Sequence, residues 1–278
     1  MNKTSKHYLL NSLFYAYLLL ACGLLLGFVL LFIKFMLWQS ASLPSWYQFT
    51  SGASAFGQRG GLLSATIGSL CLGFGAAVIA GVLAMLVAVA DYLYIKSVTL
   101  RRVLQSVIRT MASVPSTVLG LFGYAFFVQR LQFGLSLIAG MLTLAIMIFP
   151  YLELRFYKQL NEIDINLVNT AKAFGVKRQY LLWYLLLPLI RKQALRSVAL
   201  QMSFAMGATA PLMMTTGVLN APVPSSLSDP VMSLPHHLYL ILSQGLDRAE
   251  AYQTCTILLL LVFVINVGAF LLTLEKNV

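Results

Sequence analysis

The chain is predicted to be an all-α integral membrane protein with six transmembrane helices. Composition and span length carry that prediction. Of its 278 residues, 59% are hydrophobic and only 10% charged, with a mean hydropathy of +0.84; a soluble globular domain carries about 25% charged residues. Six segments, 13–37, 62–90, 110–129, 133–152, 194–216 and 252–273, approach the roughly 20 apolar residues that cross the hydrocarbon. A spanning backbone must satisfy its own N–H and C=O groups, so isolated spans of this length are helices. This leaves no room for a separate soluble domain.

The first apolar run extends from about Leu9 to Leu37 with only Lys34 charged. It is too long for a cleaved signal peptide and reads as an uncleaved first span. The second carries Gly68, Gly73, Gly75 and Gly81, which predict close helix packing. In the third, Pro115 with Gly120, Gly123 and Gly134 weakens the regularity. Asp91 ends the second span and is expected to cap or to snorkel. Cys22, Cys71 and Cys255 lie in three different runs without metal-ligand spacing and read as buried thiols.

Lys and Arg set the orientation. With the N-terminus inside, fifteen of the 19 fall on the inner side, and only Lys34, Arg59, Arg130 and Arg248 on the outer. That bias places both termini in the cytoplasm. The net charge of +11 is scattered among apolar spans, which fits topology signals and anionic lipid headgroups rather than nucleic acid. Residues 38–61, with Trp38, Pro44, Trp46 and Tyr47, suit an interfacial aromatic belt. Residues 217–250, with Pro222, Pro224, Pro230 and Pro235, predict a folded, partly re-entrant outer loop. Within it His236 and His237 are read as outward-facing loop positions.

The inner loop 153–192 is too polar to span and too apolar for a disordered tail. Leu160, Ile163, Leu167, Thr170 and Ala171 are expected on one helical face. Asn169, Thr170, Ala171 and Ala173 flank that helix, Phe174 offers a knob, Gly175 can end it in the left-handed conformation, and Pro188 suits a kink or a new helix start. An amphipathic helix lying on the inner leaflet is the competing reading of the same spacing. No chemistry is expected in this chain. It has no Gly-rich phosphate loop with Lys and Ser or Thr, no His/Glu/Asp cluster, and no metal-binding or catalytic constellation.

The segment Asn169-Thr170-Ala171-Lys172-Ala173-Phe174-Gly175 followed by Leu187-Pro188 resembles the coupling loop of bacterial ABC-importer permeases. Val114-Pro115-Ser116-Thr117-Val118-Leu119-Gly120-Leu121-Phe122, Gly207-Ala208-Thr209-Ala210-Pro211-Leu212 and Pro230-Val231-Met232-Ser233-Leu234-Pro235 with His237, Leu238 and Tyr239 resemble stretches of phosphate ABC importer permeases, the Pst type. Gly60-Gly61-Leu62 through Gly68 resembles the start of that family's core. The resemblance covers about residues 57–273 in matching order, and its last two motifs are similar to the A-type (PstA-like) member of the permease pair. It implies a type I ABC-importer permease core over 57–273, an N-terminal helix and outer loop over 1–56, and a cytoplasmic tail over 274–278. It further implies an ABC ATPase dimer docked on 161–178, holding the ATP and magnesium. The other implied partners are a second permease subunit (a related chain or a copy of itself), an extracytoplasmic solute-binding protein at 217–250, and a place in the bacterial cytoplasmic (inner) membrane.

The departures bear on the substrate. Asn169 and Thr170 stand where the family has Glu and Ala. Phe204 and Ala208 stand where an Arg and a Glu are usual, and a second family Arg falls at Leu154, beside Arg155. Losing the Arg–Glu pair together avoids an orphan charge in the membrane and removes one way of handling an anion. Ser116, Thr117, Arg155 and Thr209 remain as substrate-path candidates, with Thr215 and Thr216 as further hydroxyls. Each hydroxyl has a second reading, a bond to its own helix carbonyls. Three functions stay open: a phosphate importer subunit, an importer subunit for another anion or small solute, and a transport-inactive sensor or scaffold derived from a permease.

Overall fold

The computed structural model describes residues 3–39, 62–217, 221–245 and 248–274. Expectations resting on Pro44, Trp46, Tyr47, Arg59, Gly60, Gly61 and Lys276 lie outside the described residues. All regular structure among those described is helical. In chain order the helices are α1 Lys3–Gln39, α2 Leu63–Leu93, α3 Val98–Ala112, α4 Ser116–Gly123 and α5 Leu137–Asn161. They continue as α6 Ile165–Ala173, α7 Arg178–Leu181, α8 Leu187–Met206, α9 Ala210–Thr215, α10 Leu234–Ser243 and α11 Arg248–Leu274. Wider π-helical turns extend α4 through Tyr124–Arg130 and join α7 to α8 through Leu182–Leu186.

Among the described residues four helices are long and apolar enough to cross a membrane: α1 over Asn11–Met36, α2, α5 and α11. The third expected span is a bent pair. Instead of one helix over 110–129, α3 and the α4 segment meet at 92° across Ser113-Val114-Pro115. Pro115 has no N–H to continue the helix, and it biases Val114 toward extended backbone. The fifth expected span also differs. Helix α8 starts at Leu187 and ends at Met206, and α9 resumes after Gly207-Ala208-Thr209. Arg191, Lys192 and Arg196 had masked its first turns from a hydropathy reading.

The centre is α2 packed on α5. Helix α2 buries Ala76, Ala80, Ala84 and Ala88, four residues apart, while α5 buries Leu144, Ile148, Leu152 and Phe156 at the same spacing. A row of methyls meeting a row of large side chains lets the helix backbones approach closely. Helix α8 closes this core and α11 packs on α8. Over residues 11–36 helix α1 is almost wholly exposed, and it touches α11 where Phe35 meets Tyr252 edge-on at 6.2 Å. Cys22, on α1, is exposed rather than buried, whereas Cys71 and Cys255 are half-buried.

The segment before α10 enters the core: Val231, Met232 and Leu234 are buried, and Leu234 N–H donates to Ser69 Oγ at 2.8 Å. Upstream, Leu137 N–H donates to the Asp229 carbonyl and Ile138 N–H to the Leu227 carbonyl, both at 2.9 Å. These bonds satisfy donors that the first turn of α5 leaves free. Hydrogen bonds from Ser226 and Ser225 stiffen this loop and hold the Asp229 carboxyl well below the usual carboxylate range.

His236 and His237 are buried, not outward-facing. His237 Nδ1 lies 3.2 Å from Thr254 Oγ1, tying α10 to α11, and Nε2 lies 3.6 Å from Glu250 Oε1. Burial, with the neighbouring His236 adding to it, lowers the His237 pKa from 6.5 to about 4. Its folded pKa is below its unfolded one, so the contribution to stability is whole above pH 6.5 and lost as pH falls toward 4. Thermal unfolding of the purified transporter is expected to lose stability across that window, and His237→Gln to flatten the loss. An unchanged pH slope in His237→Gln contradicts this assignment.

Candidate functional site

The chain leaves α5 at Asn161 and restarts as α6 after Asp164, whose carboxylate accepts the Asn166 N–H at 2.9 Å and caps the new helix. The break resets the helical register. Val168 is buried, and Ala171 and Val176 are half-buried against Leu160, Leu181 and the core cluster. Leu167 and Thr170 are exposed, contrary to the single face expected from Leu160 to Ala171. Ala171 therefore seats the helix against the body of the protein. Asn169, Thr170, Ala173 and Phe174 point away from the body, with Phe174 81% exposed.

Helix α6 ends in a complete Schellman motif. Gly175 N–H donates to the Lys172 carbonyl at 2.9 Å, Val176 N–H to the Ala171 carbonyl at 3.2 Å, and Gly175 takes φ +74°. The left-handed residue turns the chain sharply, leaving Phe174 at the tip of a short, rigid projection. Arg178 then lies over the Tyr94 ring at 5.5 Å, tying this projection to the end of α2. Pro188 is exposed at the second position of α8, directly after the wider π-helical turns of Leu182–Leu186.

Two interrupted helices lie side by side above this region. Helices α4 and α9 both begin after a break, and Gly120 lets them touch: a Cβ there would lie 2.9 Å from Pro211 Cα. Ser116 and Thr117 are exposed at the start of α4, and Thr209 is half-buried just before α9. These three hydroxyls show no hydrogen bond within the described residues. Thr215 and Thr216 differ: both are fully buried and donate to the Pro211 and Leu212 carbonyls at 2.8 and 2.9 Å. They serve their own helix. Arg155 does not join the group either. It is exposed further along α5, in a cavity with Lys158 and Arg196 that contains none of the three hydroxyls. Phe204 belongs to an aromatic pair. Its ring meets Tyr151 edge-on at 5.8 Å, and Tyr151 Oη donates to the Ala112 carbonyl at 2.6 Å beside the α3 end.

One polar cluster was not anticipated. Asp91 is fully buried and neither caps nor snorkels. Arg101 Nε donates to its Oδ1 at 3.0 Å, and Arg101 Nη2 reaches the Asp91 and Ile95 carbonyls at 3.1 and 2.7 Å. The Gln105 amide donates to Asp91 Oδ2 at 2.7 Å and to the fully buried Glu153 at 3.1 Å. One α3 side chain thus joins α2 to α5. The i, i+4 spacing of Arg101 and Gln105 was the available signal; their partners are not visible in a one-dimensional reading.

Residues 77–276 match the family described as the binding-protein-dependent transport system inner membrane component. The chain belongs to this family. It is 27% identical over 227 residues to the phosphate transport system permease protein PstA 2 of Mycobacterium bovis, covering 81% of this chain and 75% of that protein. Its fold matches the inward-facing MetNI methionine ABC transporter with a TM-score of 0.66 and 16% identity, covering 76% of this chain and 94% of that one. It also matches a bacterial ABC transporter involved in alginate import with a TM-score of 0.65 and 13% identity, over 99% and 100% of the two chains. At these identities the two structures speak to fold alone. The family member described here is thus a multi-pass membrane permease with the ABC-importer permease fold.

Proposed function

We propose that this chain is a permease subunit of an ATP-driven importer for inorganic phosphate, with ATP hydrolysed in a partner chain. The observation that carries the coupling role is α6 itself, a capped helix whose buried side is fixed to the core and whose tip displays Phe174. An ABC ATPase dimer docks there, with α6 and both termini on the cytoplasmic side, as the Lys and Arg distribution favours. A second permease subunit completes the path, and an extracytoplasmic binding protein meets the α10 side. ATP-driven closure displaces α6 and biases the permease between two states. The unpaired hydroxyls of Ser116, Thr117 and Thr209, at the starts of two interrupted helices, offer donors to a passing anion. Phosphate is favoured by similarity to the mycobacterial phosphate permease along most of the chain. Phe204 packed on Tyr151, where a charge is usual, favours a second reading in which another anion or small solute is carried.

Phe174→Ala is expected to leave folding within about 0.5 kcal/mol, because the ring is 81% exposed. Loss of a buried aromatic anchor at the ATPase interface is expected to cost about 2 kcal/mol of association. Pull-down of the ATPase by wild type and variant checks this; equal capture contradicts the docking surface. The function is tested in proteoliposomes holding both permeases, the ATPase and the binding protein. Stimulation of ATP hydrolysis by phosphate-loaded binding protein supports the proposal. Stimulation by another loaded solute supports the second reading. Assembly without stimulation points to a permease-derived sensor.

A further inference from the structure

The last two turns of α5, Glu162 just beyond them, and the second and third turns of α8 line an open cavity of 240 Å³ whose lining residues are all polar. Arg155, Lys158 and Arg196 face it, against the single carboxylate of Glu162. Arg196 is held from two sides: its Nε donates to Thr273 Oγ1 on α11, and its guanidinium lies 5.2 Å from the Phe270 ring centroid. The Nη groups are the donors left over. Arg155 shows no partner among the described residues. Lys158 Nζ is 3.8 Å from Glu162 Oε1, and both side chains are largely exposed, so that pair yields easily to a stronger anion. The Gln159 amide donates to Ser197 Oγ at 2.8 Å, whereas its buried Oε1 has no hydrogen-bond partner. The cavity thus combines excess positive charge with two guanidinium groups suited to bidentate contact.

We propose that this cavity binds a phosphate-type anion, either the headgroup of an anionic phospholipid or a free phosphate ion. The arginines contact the phosphate oxygens. The site is separate from the interrupted helices that carry Ser116, Thr117 and Thr209. The lipid source stands without the import reading; only the free-ion source rests on it.

The test is a thermal-shift titration of the intact, detergent-purified transporter with phosphatidylglycerol and, separately, with inorganic phosphate. Phosphatidylcholine is the blank. The midpoint concentration is expected to rise about fivefold for each of Arg155→Gln and Arg196→Gln, the effect of one basic residue at an anionic surface. Arg102→Gln, on α3 outside the cavity, is expected to change nothing. A shift with phosphatidylglycerol alone identifies the headgroup, and a shift with phosphate alone the free ion. No shift with either, or equal weakening by Arg102→Gln, overturns the proposal. Should Arg196→Gln fail to fold for want of its Thr273 contact, Arg155→Gln carries the test, since Arg155 is exposed and unpartnered. Binding is read without turnover, so a failure of phosphate uptake leaves this result independent.

Discussion

Gly175→Val is expected to abolish ATP-driven transport while the chain still inserts in the membrane. Gly175 sits at φ +74°, and a Cβ there would meet no atom within 4 Å. The penalty is therefore conformational. An L-residue in the left-handed region costs about 1–2 kcal/mol, and a β-branched one more. That is enough to open the two hydrogen bonds that end α6 and to swing Phe174 away from its position. Because Val168 and the core beneath are untouched, the loss should appear in coupling rather than in folding. A loss of about 1.4 kcal/mol already weakens association tenfold. Gly175→Asn, which tolerates this conformation, is expected to retain more activity than Gly175→Ala, and Gly175→Val least. Membrane abundance, ATPase capture and uptake measured together check the order. Full ATP-driven uptake in Gly175→Val contradicts the role given to α6.

Arg101→Ala is expected to have the largest effect on stability. It strips the fully buried Asp91 carboxylate of its cation and leaves only the Gln105 amide. Breaking a buried pair from one side costs about 3–5 kcal/mol; Arg101 is 37% exposed, which places the cost toward the lower end. Asp91→Asn with Arg101→Met removes both charges and is expected to recover much of the loss, because no orphan charge remains. Detergent-solubilised protein that remains monodisperse on heating reports the outcome. Equal instability of the single and double variants contradicts a charge-based explanation. The damage should reach α4, since Gln105 and Arg101 hold α3 in place at the start of the bent pair.

Much of this was legible because it is local. The long apolar runs of α1, α2, α5 and α11 announce themselves by length. The end of α6 is written in Phe174-Gly175-Val176, since a left-handed stop depends on its own residue. Breaks were harder. A hydropathy window averages across Pro115 and Gly207, so it merges α3 with α4 and α8 with α9, and the charges of early α8 hide its true start. The inward residue of α6 is Val168 rather than the expected Leu167, because the break between Asn161 and Asp164 resets the helical register. His236, His237 and Asp91 were misread for another reason. Their burial depends on chain segments far away in sequence, as the 62 positions separating Asp91 from Glu153 illustrate. Arg155 likewise faces a cavity lined by Lys158 and Arg196 rather than by Ser116 or Thr209, a placement set by the packing of α5 on α8.

The central claim is import of phosphate, and uptake of labelled phosphate tests it most directly. Cells lacking every rival phosphate importer would carry this gene with its ATPase, binding protein and second permease, or the same set without this gene. Uptake that depends on this gene and on ATP is the predicted result. No gene-dependent uptake, with all subunits assembled in the membrane, contradicts it.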